Sequence, residues 1–292
     1  MGNKRVYKKL AKAGTIAGIL FFVGAFAICP GINADDQVDI DTFVEVKDKL
    51  NMLSDGINHA EFNLDAFERL AKENNYDLKG DLMFKQAKEE IKSAKINLKE
   101  GEEEFKEALS LLEGGKIEEA KGFLVAAKEY VEKGLEDVEG ANLSLKDSLG
   151  SFADDKNLPT REEAWKKSIE HTKEEIKKAG NYIDGIEYVE RFPFINLREA
   201  REGLDYSSNT LDKAKTVNPE YQLGYAYALL AETGANTAKD AASGIWNKFV
   251  IFCVVFALIP IAILLWIREE VREVIRDWFE DLFDKLRGYS IK

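Results

Sequence analysis

The sequence predicts an all-α protein: an antiparallel bundle of long helices fused to a single C-terminal transmembrane helix. Apolar residues recur at intervals of three and four along most of the 292-residue chain, and no sustained alternation of apolar and polar residues occurs. The prolines of the central part lie between the predicted helices, where they disturb no helical hydrogen bond. Near the C-terminus, residues 249–267 carry no charged or strongly polar side chain.

Residues 1–34 are typical of an export signal or an N-terminal membrane anchor. Five basic residues and no acidic residue accompany an apolar core over 15–28. Such a core is short for a membrane span but normal for a secretory signal. A signal cleaved before residue 35 is favoured, because Ile32 and Ala34 suit a cleavage site. An uncleaved anchor and a lipid anchor at Cys29 are the alternatives.

Six helices are predicted after this segment. Their expected bounds are 38–74, 80–113, 116–150, 160–191, 195–217 and from Pro219 through the membrane segment to about 286. The first has a potential break at Gly56, and the second ends at the pair Gly114-Gly115. Residues 151–159 are expected to form a loop. Thr160 and Glu163 have the spacing of a capping box.

A weak internal repeat raises an alternative architecture. Residues 96–103 and 195–202 are identical at five of eight positions. Repeated helical hairpins would explain this match, as would chance similarity between two Lys- and Glu-rich helices. A simple antiparallel bundle is favoured because no consensus of a known repeat is present.

The predicted transmembrane helix covers residues 246–267 and is the strongest single prediction. Trp246 and Trp266 bracket the apolar residues that begin with Phe249, and tryptophan favours both membrane interfaces. At 1.5 Å per residue the two tryptophans are about 30 Å apart, which matches the hydrocarbon thickness of a bilayer. Pro260 removes one backbone donor and is expected to kink the helix slightly.

The distribution of charge predicts the orientation. Residues 246–292 hold seven basic and seven acidic groups, which leaves 35–245 with 29 basic and 46 acidic groups, a net charge of −17. Basic residues are more numerous after the span than just before it, so 268–292 is expected in the cytoplasm and 35–245 outside the cell membrane. The chain is single-pass if the signal is cleaved and two-pass otherwise. So acidic a segment also argues against a nucleic-acid partner.

No motif of a catalytic, metal or nucleotide site occurs, so no enzyme activity, cofactor or metal is predicted. His59 and His171 each have a carboxylate one helical turn away, but the expected role of both is structural or solvated.

Asn142 begins the single glycosylation sequon, whose use the sequence does not determine. Residues 35–245 contain no cysteine, so their stability must come from packing.

Three groups of residues are candidates for interactions. The first is a stripe of small residues on the last helix, consisting of Ala228, Ala231, Ala235, Ala238 and Ala242. Small side chains at this spacing let two helices approach closely. Packing against a neighbouring helix of the same chain is favoured, and a homodimer seam is the alternative.

The other two groups are aromatic. In the C-terminal tail, Trp278, Phe279 and Phe283 belong to an apolar helix face that would contact the inner leaflet or a partner helix. At the predicted corner before residue 195, Phe192 and Phe194 would either plug the end of the bundle, which is favoured, or dip into the membrane interface.

These observations predict a membrane-anchored extracytoplasmic binding or scaffold protein, an adaptor or accessory subunit of a membrane complex. The expected partners are the lipid bilayer and an unidentified membrane or extracytoplasmic protein. The main alternative is a sensor or receptor that transmits ligand binding through helix 219–286. A solute-capturing or lipid-contacting accessory protein is a third class.

Overall fold

The computed structural model describes residues 34–289 except Pro193, Phe194 and Asn218, with side chains described from Asp41 to Ile263 and at a few later positions. The described residues are 89% helical and contain no strand, which confirms the all-α prediction. Residues 1–33 lie outside the described part, so the signal or anchor stays a prediction.

Six α-helices follow one another along the described chain. They are α1 (Ala34–Glu73), α2 (Leu82–Glu113), α3 (Ile117–Asp155), α4 (Glu162–Gly185), α5 (Arg198–Thr216) and α6 (Tyr221–Tyr289). A short 3₁₀ segment, Glu187–Arg191, follows α4 where the sequence predicted that helix to continue.

The first helix is unbroken at Gly56, contrary to the expected break. A Cβ atom at this glycine would lie 3.3 Å from a methyl group of Val138 on α3. The glycine therefore serves a close helix–helix approach and does not end the helix.

Helix α3 continues five residues beyond its predicted end at 150. Phe152 is completely buried, with its ring centroid 5.8 Å from that of Phe67 and 5.4 Å from that of Tyr76. Because burying this ring requires the helix to continue, the predicted loop from Ser151 begins only after Asp155.

The capping box predicted for Thr160 and Glu163 is not formed. The residue before α4 is Arg161, whose backbone is extended and whose side chain makes no capping bond. Thr160 lies one residue too early for its hydroxyl to serve as the cap. Glu162 and Glu163 instead place negative charge in the first turn, where the helix dipole favours it.

The chain divides into two compact units, each described here by itself. The first combines residues up to Ala60 with Lys85–Ser144. In it α1 and α3 run in the same direction and α2 runs opposite. The contacts that define these directions are Phe43–Phe105 and Leu50–Gly101 between α1 and α2, and Lys49–Glu132 and Gly56–Val138 between α1 and α3.

The second unit combines Glu61–Phe84 with Leu145–Lys292. In it α4 and α6 run in the same direction, with α5 opposite to both. The contacts that define these directions are Trp165–Tyr221 and Thr172–Ala228 between α4 and α6, and Ala214–Gly224 and Gly203–Ala238 between α5 and α6.

The two matched segments fall at different places along their helices. Residues 96–103 lie entirely inside α2, whereas 195–202 begin in the loop before α5 and cross its first residue, Arg198. The two segments therefore do not occupy equivalent positions within α2 and α5, and a repeated hairpin stays a prediction.

Candidate functional site

Helix α6 passes from a buried to an exposed environment along its 69 residues. From Val250 to Ile263 every residue is exposed, and the large apolar side chains there are between 37% and 64% exposed. The most apolar window of Tyr221–Ile263 has a mean hydropathy of 2.2 and none of it is buried. Within the described residues, this is the one helix that is long and apolar enough to cross a membrane.

The earlier part of α6 is buried by its own chain. The five alanines predicted as a small-residue stripe are each at most 2% exposed. Beside them the backbones approach closely, since a Cβ atom at Gly234 would lie 2.7 Å from Oγ of Ser207 on α5 and 2.8 Å from the ring of Phe62. Covered in this way, the stripe offers no exposed seam to a second copy of the chain.

Buried hydrogen bonds tie α6 and α5 to their neighbours. The hydroxyl of Thr172 donates to the carbonyl oxygen of Ala228 over 3.1 Å, and Nε1 of Trp165 donates to that of Ala214 over 3.0 Å. Both donors are side chains of α4, and both acceptors are backbone carbonyls of the neighbouring helices. Because a buried donor left without a partner is costly, the bonds fix the register of α4 along both helices.

Four aromatic residues meet where the buried part of α6 ends. They are Tyr188, Phe192, Trp246 and Phe249, and we call them the aromatic collar. Tyr188 lies edge-on to Trp246 and Phe249, with centroid distances of 6.0 and 6.5 Å. The Phe192 ring is 5.0 Å from that of Phe249. Tyr188 is 49% exposed and the other three are partly buried.

The corner that carries Tyr188 and Phe192 is stabilised by buried apolar residues and by hydrogen bonds. Beneath it lies an apolar cluster of Ile183, Ile186, Val189, Leu197, Ala200 and Ala242. The carboxylate of Glu190 accepts a bond from the Leu197 amide over 2.9 Å and one from Arg201 over 2.7 Å. The collar therefore rests on a packed, hydrogen-bonded base.

Several predicted site residues are not described at the level of side chains. Phe194 lies outside the described residues altogether. Pro260, by contrast, is described and exposed, and it lies inside α6, which continues through it to Tyr289. The remaining four, whose backbone is helical but whose side chains lie outside the described part, are Trp266, Trp278, Phe279 and Phe283.

The two histidines and the sequon lie on helices, and His59 is half-buried on α1 with its Nε2 enclosed by protein atoms. Nε2 of His171 is 3.4 Å from the carboxylate of Glu232. His171 also interacts electrostatically with Glu175, one turn further along α4, as the sequence suggested. No group of His, Cys, Asp or Glu that could hold a metal ion occurs among the described residues. Asn142 lies inside α3, where its side-chain amide donates to the carbonyl of Val138 over 2.9 Å.

At the other end of the second unit, α3, α5 and α6 surround a depression of about 390 Å³, which we call the distal cleft. Its lining residues are Lys146, Lys213, Thr216, Val217, Glu220 and Tyr227. Burial raises the pKa of Tyr227 to about 12, and the charges of Asp147 and Glu220 contribute. Burial also lowers the pKa of Lys213.

Sequence reasoning did not find the distal cleft. Its residues come from three helices and a loop, separated by up to 81 positions, and no local motif marks them. The periodicity of each helix shows which face is apolar but not which faces meet.

Comparison with known proteins identifies no relative of this chain. No family model matches it, and neither does a curated protein or a solved structure.

Proposed function

We propose that the protein is a membrane-anchored binding or scaffold protein, an adaptor or accessory subunit of a membrane complex. Residues 35–245 would form an antiparallel helical bundle outside the membrane, and α6 would continue from the bundle through the bilayer. The observation that carries the proposal is the exposed apolar segment Val250–Ile263 on a helix whose preceding part is packed within the chain.

A bilayer accounts for this segment best. Leaving a large apolar side chain in water forfeits about 1.5–3 kcal/mol relative to burial, and the segment contains many of them in succession. No other part of the described chain covers it. A continuous helix also satisfies nearly all of its own backbone hydrogen bonds, as hydrocarbon requires of a spanning segment. Pro260 leaves the carbonyl of Phe256 without its intrahelical donor, which membrane helices tolerate.

The proposed orientation places 35–245 outside the cell membrane and 268–292 in the cytoplasm. Its support is the distribution of lysine and arginine on the two sides of the span. Binding is proposed as the activity because the sequence lacks catalytic motifs and because the tail residues Trp278, Phe279 and Phe283 are too apolar for a solvated helix.

The anchoring part can be tested by placing charge in the exposed segment. Replacing Val255 and Ile259 by arginine should release the chain from membranes on alkaline carbonate washing, because arginine at mid-bilayer is costly. The matched control replaces Met52 and Val125, two exposed apolar residues elsewhere, by arginine. Retention of the first variant in the membrane, or release of both variants, would contradict the proposal.

The binding part can be tested by purification in mild detergent. A specific partner should co-purify with the parent chain in a fixed ratio and be lost when Trp278 and Phe283 are replaced by serine. Replacing the charged tail residues Glu273 and Asp277 by serine should leave it bound. Purification of the parent chain alone at every detergent concentration tested would count against an adaptor.

A sensor is the second candidate function, and the distal cleft favours it. Its volume lies in the range of small-molecule sites, about 300–1,000 Å³. Tyr227 belongs to α6, so a ligand in the cleft would contact the helix that leads into the span. A ligand that raises the melting temperature of the parent, but not of a Lys213→Gln variant, would support this function.

A further inference from the structure

We infer that the aromatic collar is a second membrane contact, which seats the corner between α4 and α5 in the headgroup region of the bilayer. This inference rests on the proposed function, since it requires α6 to span the membrane. The occupant of the collar is the lipid interface, where glycerol and phosphate groups meet the ends of the acyl chains.

Position along α6 is the first support. Phe249 is the first residue of the uncharged stretch, and Trp246 lies one turn before it. Because α4 and α6 run in the same direction, the 3₁₀ segment after α4 reaches the same level as these two residues. The contacts of Tyr188 with Trp246 and of Phe192 with Phe249 show that it does.

Chemistry is the second support. Tyrosine and tryptophan have an apolar ring and a polar end, and they concentrate where a membrane is apolar on one side and wet on the other. Tyr188 is half exposed although its ring joins an aromatic cluster, so the described residues leave part of that cluster uncovered.

Charge is the third support. Arg191 and Lys248 are exposed beside the collar, one on the 3₁₀ segment and one on α6. Basic side chains at this level can reach lipid phosphate oxygens. The surface is continuous with Val250–Ile263, so lipid that surrounds the span would also meet the collar.

The consequence concerns how the second unit is held. With α6 alone in the bilayer, the helices outside could tilt and rotate about it. A second contact through Tyr188 and Phe192 would set the depth of α6 and restrict its rotation. A second copy of the chain or a partner helix could cover the same rings, and the experiment below separates these occupants.

The experiment uses the full chain in phosphatidylcholine liposomes, with Cys29 and Cys253 replaced by serine. An environment-sensitive fluorophore is attached at Glu187→Cys, which is exposed beside the intact collar, and in a second protein at Lys167→Cys. Lys167 lies near the opposite end of α4, about 30 Å away at 1.5 Å per residue. Insertion of α6 is verified separately by resistance to carbonate extraction.

We expect the label at 187 to show blue-shifted emission, quenching by a headgroup-level lipid quencher and protection from aqueous iodide. The label at 167 should show the opposite behaviour. Replacing Tyr188 and Phe192 by serine should return the label at 187 to water while α6 stays inserted.

The inference fails if both labels are equally accessible to iodide in a carbonate-resistant protein. It also fails if shielding at 187 disappears when the protein is diluted in lipid, because this would identify a second copy as the occupant. Carbonate-extractable parent protein would instead overturn the proposed span, and the collar contact with it.

Discussion

Ala235 and Gly234 show how single small residues set the distance between α5 and α6. Ala235 is completely buried, and a Cβ atom at Gly234 would collide with Ser207 and Phe62. Larger side chains at these positions would have to push α5 or α1 away, because packed interiors leave no room for added methylenes.

The first prediction follows from this packing. Ala235→Leu should lower the free energy of unfolding by about 1–3 kcal/mol through overpacking. The measurement is denaturant unfolding in mild detergent, followed by circular dichroism. Lys239→Leu, at an exposed position one turn further along the same helix, is the control and should change stability little. Equal stability of both variants would mean that the stripe is not closely packed.

The second prediction concerns Tyr227. Because burial raises its pKa to about 12, the folded protein keeps this proton while the unfolded chain releases it near pH 10. The protonated Tyr227 hydroxyl therefore contributes its full stabilisation of the fold below pH 10, and this contribution is lost as the pH rises towards 12. A Tyr227→Phe variant should therefore lose less stability than the parent over this interval, by about 1–3 kcal/mol.

The measurement is denaturant unfolding of parent and variant at a series of alkaline pH values. Tyr225→Phe, which removes the hydroxyl of a less buried tyrosine on the same helix, is the matched control. Parallel curves for parent and Tyr227→Phe would show that the Tyr227 hydroxyl is not buried in solution.

These residues also show what could be predicted from sequence. The alanine stripe was predicted because its periodicity lies within one helix, and the structure places all five alanines in the interior. Tyr188 was missed as a partner of Trp246 because the two are 58 positions apart. Their proximity depends on the parallel packing of α4 and α6, which no local pattern specifies.

At the scale of elements, the start of α2 is organised by one side chain. Oδ1 of Asp81 accepts a hydrogen bond from the backbone amide of Phe84 over 2.9 Å, which is the geometry of an N-cap. Oδ2 of Asp81 accepts hydrogen bonds from two hydroxyl groups, that of Tyr76 over 3.0 Å and that of the buried Ser148. Burial raises the pKa of Tyr76, and the bond to Asp81 contributes to this shift.

The third prediction tests this cap. Asp81→Ala should destabilise the protein by about 2–4 kcal/mol, because it removes an N-cap and leaves the Ser148 hydroxyl buried without its acceptor. Asp81→Asn, which keeps an oxygen for the cap, should cost clearly less. Thermal unfolding in mild detergent distinguishes the two variants. If both are equally destabilised, the carboxylate charge matters more than the cap.

Element boundaries show where sequence reasoning was wrong. The existence and order of the helices followed from periodicity, and Gly114-Gly115 ended α2 within one residue of the expected position. The end of α3 was misplaced because Phe152 is held by Phe67 and Tyr76, which are distant in sequence. Such tertiary contacts override local capping and helix-breaking signals, because the free energy gained by burying an aromatic ring exceeds the effect of those signals.

At the scale of the whole molecule, charge and hydropathy are segregated along the chain. Residues 35–245 carry a net charge of −17, the stretch 249–267 carries none, and 268–292 carries most of the basic groups near the proposed span. The positive-inside rule counts lysine and arginine close to the membrane, so the excess after residue 267 is what predicts the orientation.

The last prediction tests this orientation. In spheroplasts or intact cells, added protease should degrade 35–245 and spare an epitope tag placed after Lys292, leaving a protected fragment of span and tail. Exposed, charged helices separated by loops at 74–81 and 156–161 offer cleavage sites, whereas the bilayer shields the tail. Permeabilised cells are the control, because there the tag must be lost too. Protection of 35–245 in intact cells, together with loss of the tag, would reverse the proposed orientation and place the acidic helices in the cytoplasm.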